Sequence, residues 1–152
     1  MNDPLNTLLD RCAVQDVLNT YARTCDERHW EEFDNVFCEE VAVNYGGEFK
    51  LQGRAAVVNM IQSMLGGCGP TQHLLGNFDI SIEGDTAHSR CYVRAAHAGV
   101  GEEEQLFYEV WAQYHDTLVK RPAGWRILQR SMIVNKELGS RAILKPAPTP
   151  QS

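Results

Sequence analysis

No stretch of this sequence reaches the roughly 18 consecutive apolar residues that carry a helix across a bilayer. Its first ten residues, MNDPLNTLLD, hold neither a basic stretch nor a small-residue cleavage site, so no targeting segment is expected there. Cysteines are few and badly spaced for pairing. Cys12, Cys25, Cys38, Cys68 and Cys91 are odd in number and include no C-x-x-C, which argues against a disulfide framework and a cysteine zinc site. Free, mostly buried thiols in a cytoplasmic protein are expected. Basic residues number only 14 against 20 acidic ones and form no run. A net charge of −6 without a cationic cluster cannot neutralise a phosphate backbone, so nucleic acid and membrane are set aside as partners. The glycine-rich GGCGP ends a helix pattern instead of opening one, so it is not a phosphate-cradling loop.

What the sequence does contain is the make-up of one globular domain. Its 152 residues are 43% hydrophobic and 22% charged, enough to bury a sizeable core and too apolar for disorder. Asp3 followed by Pro4 predicts a helix start, with an N-cap acceptor ahead of a proline whose missing N–H is harmless in the first turn. Val14, Val17, Leu18, Tyr21 and Cys25 then recur at helical spacing, and Leu5, Leu8, Leu9 and Cys12 extend that apolar face backwards. Trp30, Phe33, Val36 and Phe37 predict a short second helix. Val41, Val43 and Tyr45, a Gly46-Gly47 turn, and Phe49 with Leu51 predict a hairpin. A third helix follows through Val57, Met60, Ile61, Met64 and Leu65 up to Gly66-Gly67.

The remainder reads as strand. Segments 71–82, 86–98, 105–119 and 124–135 are separated by turn signals and predict consecutive antiparallel strands. We therefore expect a domain over 1–138 and an irregular proline-rich tail over 139–152. Helices followed by strands indicate an α+β fold, with helices on one face of a curved antiparallel sheet that can close around a cavity.

In TQHLLGN, His73 and Leu75 share one parity while Phe78, Ile80 and Ile82 have the other, so a bulge is expected at Gly76-Asn77. Ala87, Ser89, Cys91, Val93, Ala95 and His97 make a small, mostly apolar face that leaves room for a pocket, and Val93 is a candidate lining residue. On the third long strand, Trp111, Gln113 and His115 have one parity and Tyr108, Val110, Ala112 and Tyr114 the other. Alternation alone leaves open which set faces inward. Should the first set do so, Trp111 is a wall and Gln113 or His115 a hydrogen-bonding group for substrate.

The order of YARTCDERHW, VNYGG, GRAAVVNMI, TQHLLGN, CYVRAAH and GWRI resembles the SnoaL-like branch of the nuclear transport factor 2-like superfamily, which includes scytalone dehydratase and bile acid dehydratase. The resemblance spans roughly residues 8 to 136. It implies a cone-like barrel, a curved sheet with N-terminal helices packed around a deep pocket, and a homodimer or homotrimer. It also implies that Asp26 and His73 form the base and its partner. Tyr21 looks like a tyrosine five residues before that aspartate in bile acid dehydratase. Tyr45 and His97 resemble the second tyrosine and second histidine of scytalone dehydratase, which act on the leaving hydroxyl or the carbonyl. Cys25 and Val134 depart from the two patterns, so neither substrate is carried over.

The chemistry expected from these groups is a cofactor-free β-elimination on a small hydrophobic hydroxy-carbonyl compound. Asp26 orients His73, His73 removes the proton alpha to the carbonyl, a tyrosine donates to the forming enolate, and His97 protonates the departing hydroxyl. Without a leaving group the same parts give isomerisation, and with an internal electrophile an aldol cyclisation. A non-catalytic ligand- or protein-binding member is the rival. Asp26, His73 and His97 include plausible metal ligands, but their spacing is not diagnostic, and no metal or cofactor is expected.

Overall fold

A computed structural model describes residues 3–150, so Met1, Asn2, Gln151 and Ser152, the outermost parts of the leader and tail readings, lie outside the described residues. Helix α1 spans Pro4–Glu27, and Asp3 caps it by accepting a 3.1 Å bond from the Leu5 N–H. Such a cap typically contributes about 1 kcal/mol. Strand β1 (Phe37–Tyr45) and strand β2 (Phe49–Gln52) form the hairpin, and helix α2 (Arg54–Leu65) follows. The long strands are β3 (Thr71–Glu83), β4 (Thr86–Ala98), β5 (Phe107–Arg121) and β6 (Gly124–Gly139).

The α+β arrangement is as expected, but the barrel is not. The strands form one open six-stranded sheet in the order β2-β1-β6-β5-β4-β3, and its edges β2 and β3 do not pair. Closure would require the four-residue β2 to pair with the thirteen-residue β3. The apolar inner face is buried instead by α1, packed mainly on β3, and by α2, packed on β1. Nor is the sheet wholly antiparallel. The β1 strand pairs in parallel with β6 while the other neighbours are antiparallel.

Other local expectations shift as well. Trp30–Asn35 is a single 3-10 segment, and Phe37 already belongs to β1, so its ring and that of Phe33 stack 5.5 Å apart in the core. Val14, Val17, Leu18, Tyr21 and Cys25 are buried, but Leu5, Leu8, Leu9 and Cys12 are exposed: at about 100° per residue they fall on the opposite side of α1, whose inward face in the first turns carries Thr7 and Asp10, the latter accepting from Lys120 and Trp125. The expected bulge is present. β3 carries one extra residue against β4 between Gly76 and Asp79, and Asn77 there adopts a left-handed φ of 54°. β6 runs to Gly139, beyond the expected end near 135. The following segment contains a 3-10 turn, Arg141–Ile143, whose Ile143 is fully buried. Among the described residues, no helix is long and apolar enough to cross a membrane.

Candidate active site

A cavity of about 230 Å³ opens between the helices and the inner sheet face. The C-terminal end of α1 and the first half of β3 meet at its buried end. Asp26 lies in the last turn of α1. Its carboxylate accepts three hydrogen bonds: from the His73 main-chain N–H at 2.8 Å, from His73 Nδ1 at 2.7 Å and from the Thr71 hydroxyl at 2.9 Å. Burial opposes ionisation of Asp26. The hydrogen bonds and charge of His73, with the Thr71 hydroxyl, outweigh it and hold the carboxyl below its ordinary range. An ionised acceptor fixes the proton on Nδ1, which leaves His73 Nε2 as the basic atom.

Arg28 secures this pair from behind. It ends α1 in a left-handed conformation (φ 62°), and its guanidinium donates to the carbonyls of Cys25, Asp26, Leu65 and Gly69 and to Thr71 Oγ1. The Thr71 hydroxyl is thereby held as an acceptor from Arg28 at 2.9 Å and a donor to Asp26. One side chain ties the end of α1, the end of α2 and the entry to β3 together.

The Tyr21 and Tyr45 hydroxyls lie 3.2 Å apart, and both line the cavity with His73. Burial raises the pKa of both phenols, so both remain protonated hydrogen-bond donors at neutral pH. His97 also lines the cavity, with its ring centroid 5.5 Å from that of His73. Its Nδ1 lies 3.0 Å from the Tyr108 carbonyl, a partner that only accepts, so Nδ1 carries the proton. Burial, and then the charge of His73, push the His97 pKa down to about 4. His97 is therefore neutral and presents Nε2 as an acceptor, a poor match to the expected proton donor.

The remaining expected residues fall elsewhere. Tyr108, Val110, Ala112 and Tyr114 are the buried set of β5, whereas Trp111, Gln113 and His115 lie on the opposite face of the sheet, where Arg94 sits 4.3 Å over the Trp111 ring. Val93 is buried in the core beside the cavity but does not line it.

Sequence pattern alone does not single out Arg130. Its side chain is fully buried and paired bidentately with Asp116 at 2.7 and 2.8 Å. Its guanidinium carbon sits 4.2 Å from the Tyr21 ring and 4.0 Å from that of Tyr114. Arg130 Nη1 has no hydrogen-bond partner. Arg130 turns inward because β6 carries an extra residue at Leu128, where the register shifts between Ile127 and Gln129. Asp116 was the available signal, since it continues the buried parity of Tyr108 to Tyr114 and an aspartate there needs a cationic partner. A carboxylate-oriented imidazole, two protonated phenols and a neutral imidazole acceptor around an apolar cavity form a general acid–base arrangement.

The sequence model for the SnoaL-like domain matches residues 6–131. Uncharacterized proteins of Mycobacterium tuberculosis and Mycobacterium bovis are 33% identical over 124 residues, which is 80% of this chain and 82% of theirs. A solved structure provisionally named scytalone dehydratase, from Novosphingobium aromaticivorans, has a TM-score of 0.78 at 22% identity and covers 95% of this chain and 97% of that one. A hexachlorocyclohexane dehydrochlorinase from Novosphingobium barchaimii has a TM-score of 0.79 at 15% identity, with coverage of 96% and 100%. At these identities the structures establish the shared fold.

Proposed function

We propose, for a chain that belongs to the SnoaL-like domain family and to the nuclear transport factor 2-like superfamily, a cofactor-free lyase that eliminates water from a small hydrophobic hydroxy-carbonyl compound. The observation that carries this reading is the bond from His73 Nδ1 to Asp26 beside an apolar cavity, which leaves Nε2 free as a base. His73 Nε2 takes the proton alpha to the carbonyl, and the C–H electrons flow into an enolate. The Tyr21–Tyr45 pair donates to the enolate oxygen, and a preorganised donor of this kind contributes about 3 kcal/mol. As the enolate collapses to the enone, the C–O bond at the beta carbon breaks. The imidazolium formed on His73 returns its proton to that oxygen, which leaves as water.

His97 takes a different part from the one the sequence suggested. A neutral acceptor orients the substrate hydroxyl through its hydrogen without protonating it. Arg130, paired with Asp116 and outside the cavity lining, packs against the face of the Tyr21 ring and so fixes that phenol in place. Two of the similar structures carry names of eliminations, one of water and one of hydrogen chloride, which accords with this class of reaction. Five free cysteines suit a reducing compartment such as the cytoplasm.

The test is a panel of β-hydroxy ketones incubated with the protein and followed by mass spectrometry for loss of one water. Turnover should appear with wild type and vanish in His73→Ala. Undiminished turnover in that variant would remove His73 as the base. Double-bond migration without loss of water would instead favour an isomerase built from the same groups.

A further inference from the structure

The cavity has a buried end and an exposed end. His97, Tyr21 and Tyr45 are buried, as is the His73 side chain, whereas Glu48 in the β1–β2 turn, Glu137 on β6 and Arg141 in the tail line the cavity and are exposed. The exposed end is the mouth. There Arg141 pairs with Glu48 at 2.9 Å and with Glu137 at 2.5 Å, so two carboxylates share one guanidinium. The Tyr108 hydroxyl also donates to Glu137. That bond, with those from Arg141, holds the Glu137 carboxyl below its ordinary range. The mouth carries one net negative charge.

Nothing at the buried end compensates for it. Among the described residues, the Arg130 charge is balanced by Asp116, and Arg28 commits its donors to four carbonyls and Thr71 beside the Asp26 carboxylate. His97 is neutral, and the remaining walls are largely apolar, including Met60, Met64 and Leu144. An entering anion therefore meets like charge at the mouth and then loses its water without gaining a cation. A cation is drawn to the mouth but faces the same desolvation inside.

We infer that this cavity selects uncharged ligands, neutral ketones, alcohols and phenols, and discriminates against carboxylates and phosphate esters of the same skeleton. The inference rests on the cavity being the substrate site, as in the proposed function. It makes Glu48, Glu137 and Arg141 specificity determinants placed away from the reacting atoms.

Isothermal titration of the full chain near pH 7.5 with 2-naphthol and 2-naphthoate tests it. The two probes share one ring system and differ in charge. The wild type should bind 2-naphthol at least tenfold more tightly. Glu48→Gln with Glu137→Gln frees the Arg141 cation, and should raise 2-naphthoate affinity at least fivefold while moving 2-naphthol less than twofold. Equal or tighter binding of 2-naphthoate by the wild type overturns the inference. So does an unchanged 2-naphthoate affinity in the double variant, or failure of both probes to bind. None of these measurements reads turnover, so they stand apart from the His73→Ala test. Charge selection can fail while the lyase reading survives, and the reverse.

Discussion

The main-chain N–H and the imidazole of His73 both donate to the one carboxylate of Asp26, at 2.8 and 2.7 Å. The backbone bond places the strand relative to the acid and the side-chain bond sets the tautomer, so orientation and chemistry are fixed together. In Asp26→Asn an amide replaces the charged acceptor, and turnover should fall at least about 10²-fold. Proton NMR provides a readout independent of substrate: the downfield Nδ1–H resonance expected of wild type should be lost in Asp26→Asn.

Arg28→Lys tests the bracing of that pair. Lysine retains the charge but offers one ammonium in place of a planar fork that reaches five acceptors. We expect kcat to drop about tenfold or more with a smaller change in KM, together with weakening of the Nδ1–H resonance. A stability loss with an unaltered resonance and kcat would assign Arg28 to folding alone.

The sequence conveyed the long elements well because their signals are local. Alternation on β4 and the stop at Gly66-Gly67 need no knowledge of distant residues. Arg130 could not be found that way, since its inward turn depends on an extra residue at Leu128 opposite β5. Leu5, Leu8 and Leu9 show a different limit: at about 100° per residue they lie on the side of α1 opposite Val14, Leu18 and Tyr21, so helical phase encodes their exposure while apolar character alone points the other way. The open sheet is a third case. Whether two edges meet is decided by strand lengths and by where the helices lie, which no single strand encodes. The Asp26–His73 pairing was legible only through resemblance, as 47 positions separate the two residues.

Removing one member of the buried Arg130–Asp116 pair should be costly. Arg130→Met leaves a carboxylate uncompensated in the core and is expected to destabilise by about 3–5 kcal/mol, read as a shift of the urea midpoint. Arg130→Met combined with Asp116→Leu should recover much of that loss. A strictly additive double variant would show that the two charges are not coupled.

His97 gives the stability a defined pH dependence. Its folded pKa of about 4 lies below the ordinary 6.5, so between those values the unfolded chain binds a proton that the native state refuses. Stability should therefore fall as pH drops from about 6.5 to about 4, by up to about 3 kcal/mol from this group. His97→Gln should flatten that part of the curve. Asp26 acts lower on the scale. Its depressed pKa supplies stability that is present above the unfolded carboxyl value near 3.9 and lost as pH falls through its folded value.

The extra residue near Asn77 sets the phase of β3. Upstream of it, odd-numbered His73 and Leu75 face the helices. Downstream, even-numbered Ile80 and Ile82 do so. A uniform strand of this length would keep one parity throughout, aiming either the imidazole or the two isoleucines into water. Removing a single residue at this point would therefore force a choice between the imidazole at the cavity wall and a hydrophobic anchor at the far end of the sheet. The kink lets one continuous strand serve both.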